Sequence, residues 1–255
     1  MSRIRLAAFL FALLCAALPL LLFAAEMPSS NSAAPGAPIA RRGAEEARFP
    51  PIHVVVVDPG HGGKDLGALI GGREEKALVF NLALRLQEQL ERARGFWARL
   101  TRNGDVYLPL AERVDRAQAV GGKALVSLHF DDVRRSRWRG VKVYYYGRFR
   151  RIKPRPGERV LPDPPQAQIA ESRKLALRIH EALRLNGIPA AAVDRGAFVV
   201  LKSPAIPSVL IEAGNLRDPL ERSRLEAPAH QETLARAIAQ GVQSYLAELP
   251  AIAKR

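Results

Sequence analysis

Apolar positions along this chain switch repeatedly between two periods. Val54 to Val57, four β-branched residues in a row, predict a buried strand over 52–58, and Asp58-Pro59-Gly60 ends it. Leu78, Leu82, Leu86 and Leu90 then recur every fourth position among Arg, Gln and Glu, which predicts a helix over 75–93 closed by Gly95. A strand at 97–101, a helix at 109–120 with Leu110, Val114 and Ala117 on one face, and strands at 124–129 and 141–146 follow. Beyond a basic, proline-rich stretch come a helix over 166–186 (inner face Ile169, Ala176, Ile179 and Leu183), strands at 198–201 and 209–211, and a last helix at 229–247. Strand and helix alternate without an internal repeat. That order predicts a single α/β domain: a mostly parallel, twisted sheet with helices on both faces.

Composition adds appendages to that domain, which spans 51–249. Arg3 and Arg5 precede the uncharged, mostly apolar stretch Leu6 to Ala25, broken only by Pro19. Residues 1–25 therefore read as a secretory signal or an uncleaved membrane anchor, and the Ser-, Ala- and Pro-rich residues 26–50 as a flexible tether. The single cysteine, Cys15, lies inside the leader, so the domain depends on its core and not on disulfides. The chain carries a formal charge of +14, and eleven Lys or Arg against Glu158 alone put +10 of it in residues 134–159. These open a basic loop insertion over about 134–165. Such basicity usually raises nucleic acid as a partner. An export segment argues against it and points to anionic wall polymers or lipid headgroups, with equal weight on a merely solvated insertion.

The candidate chemistry sits at strand ends. His61 follows the first strand in a turn between glycines, and Glu75 opens the next helix. His129 closes the run Ala-Leu-Val-Ser-Leu-His, and Glu212 ends Ser-Val-Leu-Ile-Glu. In a parallel sheet the carboxyl ends of the strands share one edge, where ligands bind, so these four distant residues are brought together. Two imidazoles and a carboxylate can fill three positions of a tetrahedral zinc site and leave the fourth open, while a further carboxylate moves protons. Such ligands suit a metal that polarises a carbonyl.

The sequence resembles the zinc-dependent N-acetylmuramoyl-L-alanine amidases of bacterial cell-wall turnover. The likeness is carried by Asp58-Pro-Gly-His-Gly-Gly-Lys-Asp-Leu-Gly-Ala68, Glu75-Lys76, Thr101-Arg102 with Asp105, Leu110 and Arg113, Ser127-Leu128-His129, Gly140-Val-Lys-Val-Tyr144 and the stretch Leu201 to Gly214. It spans about residues 52–247. The resemblance implies one zinc held by His61, Glu75 and His129, with Glu212 as the catalytic glutamate. It also implies an exported enzyme of the periplasm or cell envelope that cuts peptidoglycan between N-acetylmuramic acid and L-alanine. Leu66, Phe130 and Asn215 depart from the family's pattern, and Phe130, next to a ligand, is expected to border the metal and narrow the groove. Some relatives carry a helix that plugs the zinc site; the short basic, proline-punctuated stretch here predicts none.

Other residues have plainer readings. His53, His180 and His230 are structural or surface histidines, Asp58 is a turn residue or a support behind the ligands, and Tyr144 to Tyr146 are strand residues. Two other functions share the sequence features: a non-catalytic peptidoglycan-binding module, and a zinc peptidase or deacetylase of the wall.

Overall fold

The computed structural model describes residues 53–133, 139–147 and 157–249. Two compact units divide the chain, Met1–Gly43 and Ala44–Arg255, and every described residue belongs to the second. The leader, the whole tether and residues 134–138 and 148–156 of the basic insertion lie outside the described residues.

The order of elements is β1 (His53–Pro59), a small hairpin of β2 (Leu69–Ile70) and β3 (Arg73–Glu74), α1 (Glu75–Glu91), β4 (Phe96–Leu100), α2 (Leu110–Ala119), β5 (Ala124–Asp131), β6 (Lys142–Tyr146), α3 (Gln166–Leu185), β7 (Asp194–Gly196), a 3-10 turn (Val199–Leu201), β8 (Ser208–Asn215), α4 (Pro219–Glu226) and α5 (Pro228–Ala247). Six strands form one sheet in the order β4-β1-β5-β8-β6-β7. β4, β1, β5 and β8 run parallel, while β6 lies antiparallel to β8 and carries β7 beside it. The chain leaves β1 for β4 on one side and returns for β5 on the other. This reversal of strand order opens a crevice at the carboxyl ends.

The two faces of the sheet are unequal. On one, Val55, Val57, Val126, Leu128, Val143, Val209 and Ile211 pack under α1, α3 and α5 in the major core. Leu82, Leu86 and Leu90 of α1 are fully buried there, each stabilising the fold by roughly 1.5–3 kcal/mol. On the other face, Val56, Leu125, Leu210 and Tyr146 form a smaller cluster with Ala117 of α2, the 3-10 turn and Ile206, edged by Ile169 of α3 and Phe198. The thinner layer leaves the strand ends on that side open.

Several elements depart from the pattern read in the sequence. The run 198–201 is not a strand: Leu201 and Lys202 donate to the carbonyls of Phe198 and Val199, making a 3-10 turn that buries Val200 and Leu201 in the minor core. Four apolar residues are too few for periodicity to separate the two states. The extended strand is instead Asp194–Gly196, where the Phe198 ring fills the space a Gly196 side chain would need. The β2–β3 hairpin turns at Gly71-Gly72, both at positive φ. Helix α4, also unread, starts at Asp218, whose carboxylate caps the amides of Leu220 and Glu221 ahead of Pro219. In α2 the inner face is Ala111, Arg113, Val114 and Ala117, and Leu110 is exposed.

Candidate active site

Period-2 alternation places the reacting side chains. β5 sends Val126, Leu128 and Phe130 into the major core and so turns Ser127 and His129 to the open face; β8 likewise turns Glu212 there. His129 and Glu212 stand in register on adjacent parallel strands. His61 arrives from the turn after β1, in a left-handed conformation with φ 59°. Glu75 is the first residue of α1, where the helix dipole favours a carboxylate.

His61 Nε2, His129 Nδ1 and a Glu75 oxygen converge, with the three ligand atoms within 4.8 Å of one another. Glu75 Oε1 lies 3.0 Å from His61 Nε2 and 3.2 Å from His129 Nδ1, and the two nitrogens are 3.1 Å apart. Backbone amides fix the carboxylate from behind: Ala68 N–H donates to Oε2 at 2.9 Å and Phe130 N–H to Oε1 at 3.0 Å. Burial works to raise the Glu75 pKa, but hydrogen bonds and positive charge from the two imidazoles overcome it and hold the carboxyl well below its usual range. For His61, burial works to lower the pKa and the Glu75 and Asp65 carboxylates more than reverse it. Asp65 Oδ1, 3.0 Å from His61 Nδ1, orients the far side of that ring. A pocket that keeps a carboxylate charged and favours a protonated imidazole has a field suited to a cation. The N, N, O donor set, the enclosure and the orienting carboxylate all fit a divalent metal.

Glycines leave the room for this convergence. A Cβ on Gly60 would stand 2.3 Å from the His129 ring, and one on Gly67, at φ 66°, 2.6 Å from Glu75 Oε2.

Glu212 differs from the three ligands. Its Oε2 is enclosed and accepts no hydrogen bond from any described residue. Burial, reinforced by the charges of Glu75 and Asp131 against those of His129 and Lys142, lifts its carboxyl to about 7. A dication held nearby would pull that value down again. A buried carboxyl with an unpartnered oxygen, in register with a ligand histidine, is placed for general acid–base work.

Residues 55–244 match the Amidase_3 family, described as N-acetylmuramoyl-L-alanine amidase. The chain belongs to this amidase family. N-acetylmuramoyl-L-alanine amidase AmiC of Neisseria meningitidis serogroup B is 35% identical over 219 residues, covering 76% of this chain and 52% of that protein. AmiA of Escherichia coli K12 is 34% identical, covering 75% of each. Among solved structures, the amidase AmiC2 of Nostoc punctiforme superimposes with a TM-score of 0.64 at 31% identity, over 77% of this chain and 98% of that one. The chain thus spans about half of the Neisseria protein.

In this amidase fold the loop that presents His61 is held by Arg113, Arg102 and Lys76, to which the sequence assigned no role, and by Asp58, read as a turn or supporting residue. Arg113 donates from Nη1 to Asp58 Oδ1 (2.9 Å) and Pro59 O (2.8 Å), and from Nη2 to His61 O (2.6 Å). Arg102 donates to Pro59 O and Gly60 O, both at 3.0 Å, and to Lys76 O at 2.9 Å. Lys76 in turn binds Gly63 O (2.9 Å) and Asp105 (2.7 Å), which accepts from Gly63 N–H. Asp58 is fully buried and accepts from Thr101, Ser127 and Arg113, so it supports the ligand loop from behind. Buried arginines give no apolar signal, and only their place in the amidase motif marked them.

Phe130 corrects an expectation. Its side chain lies in the major core, 2% exposed, and not beside the metal ligands. Alternation forces this once His129 faces the cleft. What Phe130 contributes to the site is its amide, bonded to Glu75. Glu74, adjacent to Glu75, lies in the hairpin strand before α1. His53 stacks at 5.1 Å on Phe96 at the start of β1; among the described residues, His53, His180 and His230 join no metal-type cluster.

Proposed function

We propose that this chain hydrolyses the amide between the lactyl group of N-acetylmuramic acid and the L-alanine of the stem peptide, with zinc held by His61, Glu75 and His129. The observation that carries the reading is Glu212: a carboxyl with one enclosed, unpartnered oxygen, in register with a ligand histidine and on the same face of the sheet. Bound zinc supplies Lewis acidity, polarising the carbonyl and acidifying water. Glu212 accepts the proton of the attacking water and returns it to the departing alanine nitrogen. His61 and His129 serve as imidazole ligands, with Asp65 orienting His61, and Arg102 and Arg113 keep the His61 turn in place. Mass spectrometry of digested sacculi tests this. The expected products are free stem peptides with N-terminal L-alanine and intact glycan strands. Deacetylated sugars or cuts within the peptide indicate a different hydrolase, and binding without products indicates a binding module.

The setting belongs to the same proposal: residues 1–25 export or anchor the chain, 26–50 tether it, and the enzyme works in the cell envelope. None of the described helices is long and apolar enough to cross a membrane, and residues 6–25 lie outside them. The basic segment is proposed to attract anionic wall polymers or lipid headgroups. Of its cations, Arg139, Lys142 and Arg159 face Asp218, Asp131 and Asp115 from outside the segment. The other eight lie outside the described residues, along with any plug. Changing Arg148, Arg150, Arg151 and Lys153 together to Ser should weaken sacculus or anionic-vesicle binding and its salt dependence, with metal content unchanged. Unchanged binding makes the segment a solvated insertion.

A further inference from the structure

His129, Glu212 and Lys142 form a row across three adjacent strands, β5, β8 and β6, each in register with the next. Directly opposed residues share a face. Lys142 lies on the face of Tyr144 and Tyr146, because Val141 and Val143 point into the major core. Its ammonium bonds the carboxylate of Asp131. Asp131 stands on β5, two strands away, with β8 between them. Neighbouring strands are about 4.8 Å apart, so the lysine side chain must cross above β8 close to Glu212 to make that bond.

The arrangement leaves a cation with capacity to spare. An ammonium has three N–H donors; Asp131 takes one, and among the described residues Lys142 makes no other side-chain hydrogen bond. Its side chain is 23% exposed, so it is not sealed from solvent. The enclosed Oε2 of Glu212, its neighbour in the row, accepts nothing from it. Asp131 therefore fixes the direction of the lysine, and Glu212 leaves it available.

The substrate class supplies the matching group. The glycan beside the scissile amide is uncharged. In the stem peptide the residue after L-alanine is a glutamate joined through its side chain, which leaves its α-carboxyl as a free carboxylate or a carboxamide. This is the charge nearest the cut. We propose that Lys142 is a specificity-determining residue that binds this carboxylate on the leaving-group side of the amide, held in place by Asp131. The inference rests on the amidase reading above. A charged hydrogen bond of this kind should favour the carboxylate over the carboxamide roughly tenfold to a hundredfold in kcat/KM.

The test compares soluble peptidoglycan strands whose second stem residue carries a free α-carboxyl with the same strands carrying the carboxamide. Zinc-loaded wild type, Lys142→Met and Lys142→Arg are assayed for release of L-alanyl peptides, with metal content measured for each. The expected result is a wild-type preference for the carboxylate that collapses toward unity in Lys142→Met and is kept by Lys142→Arg. No wild-type preference, a preference that survives Lys142→Met, or equal losses on both substrates in that variant would overturn the assignment, since in each case the lysine does not read the carboxylate. If wild type releases no L-alanyl peptide from either strand, the amidase reading itself fails.

Discussion

Replacing Arg113 with methionine should remove a large part of the domain's stability, because the arginine is one half of an ion pair with no water to replace it. Arg113 is 2% exposed and Asp58 fully buried, with Arg113 Nη1 2.9 Å from Asp58 Oδ1. Methionine nearly preserves the apolar stem but leaves the Asp58 charge without its cation and the His61 carbonyl without its donor, while Pro59 O keeps only Arg102. Breaking a buried pair from one side typically costs about 3–5 kcal/mol, against a total stability on the order of 5–15 kcal/mol for a domain. Urea denaturation of wild type, Arg113→Met, Asp58→Asn and the double variant at pH 7 measures it. The double variant, having no buried charge to strand, should lose clearly less than the sum of the single losses. A cost for Arg113→Met below about 1 kcal/mol, or additivity within about 0.5 kcal/mol, would refute the reasoning. The pair also fixes an acid dependence. Burial works to raise the Asp58 pKa, but the Arg113 charge and the hydrogen bonds from Thr101 and Ser127 outweigh it and hold it below the usual range. A depressed carboxyl adds stability above the unfolded aspartate pKa of about 3.9, and that share is lost as pH falls through the lower folded value. Asp58→Asn should therefore lose stability less steeply in acid than wild type; an identical acid limb would count against the pair.

The ligand assignment predicts near-complete metal loss in His61→Ala and His129→Ala by elemental analysis, and full occupancy in both would end it. Gly60→Ala should lower metal affinity by displacing the His129 ring, because its added Cβ would meet that ring at 2.3–2.8 Å; an unchanged affinity in a chelator competition would show that the loop yields instead.

His61, His129 and Glu212 were legible as candidates because each lies at or just past the end of a strong apolar run, and Glu75 because it opens the helix after the first; strand ends of a parallel sheet gather at one edge. Of the support behind them, Asp58 was read as a turn or supporting residue, but the arginines that bind it and the loop were not. Arg113 occupies an inward position of α2 that its charge disguises, which shifts the apparent apolar face toward Leu110, a residue the structure leaves exposed. Phe130 was misplaced although the alternation of β5 already carried the answer: neighbours along a strand face opposite ways. The 3-10 turn at Val199–Leu201 could not be told from a strand, since hydrogen bonding over three residues leaves no mark on so short an apolar run. The signals for the β2–β3 hairpin and for α4 were present, as Gly71-Gly72 and as Asp218-Pro219 with Glu221 three residues on. The reversed direction of β6 was also not read, and it is what sets Lys142 opposite Glu212.

The separation of binding from chemistry is the centre of this account, and Glu212→Gln measures it directly. Glutamine preserves the shape of the side chain and removes its ability to carry a proton. Zinc content per chain and the rate of L-alanyl peptide release should be determined on the same preparation of the variant. The account predicts one zinc per chain, as in wild type, with turnover reduced on the order of 10²- to 10⁴-fold. Turnover near that of wild type, or loss of the metal together with activity, would contradict it.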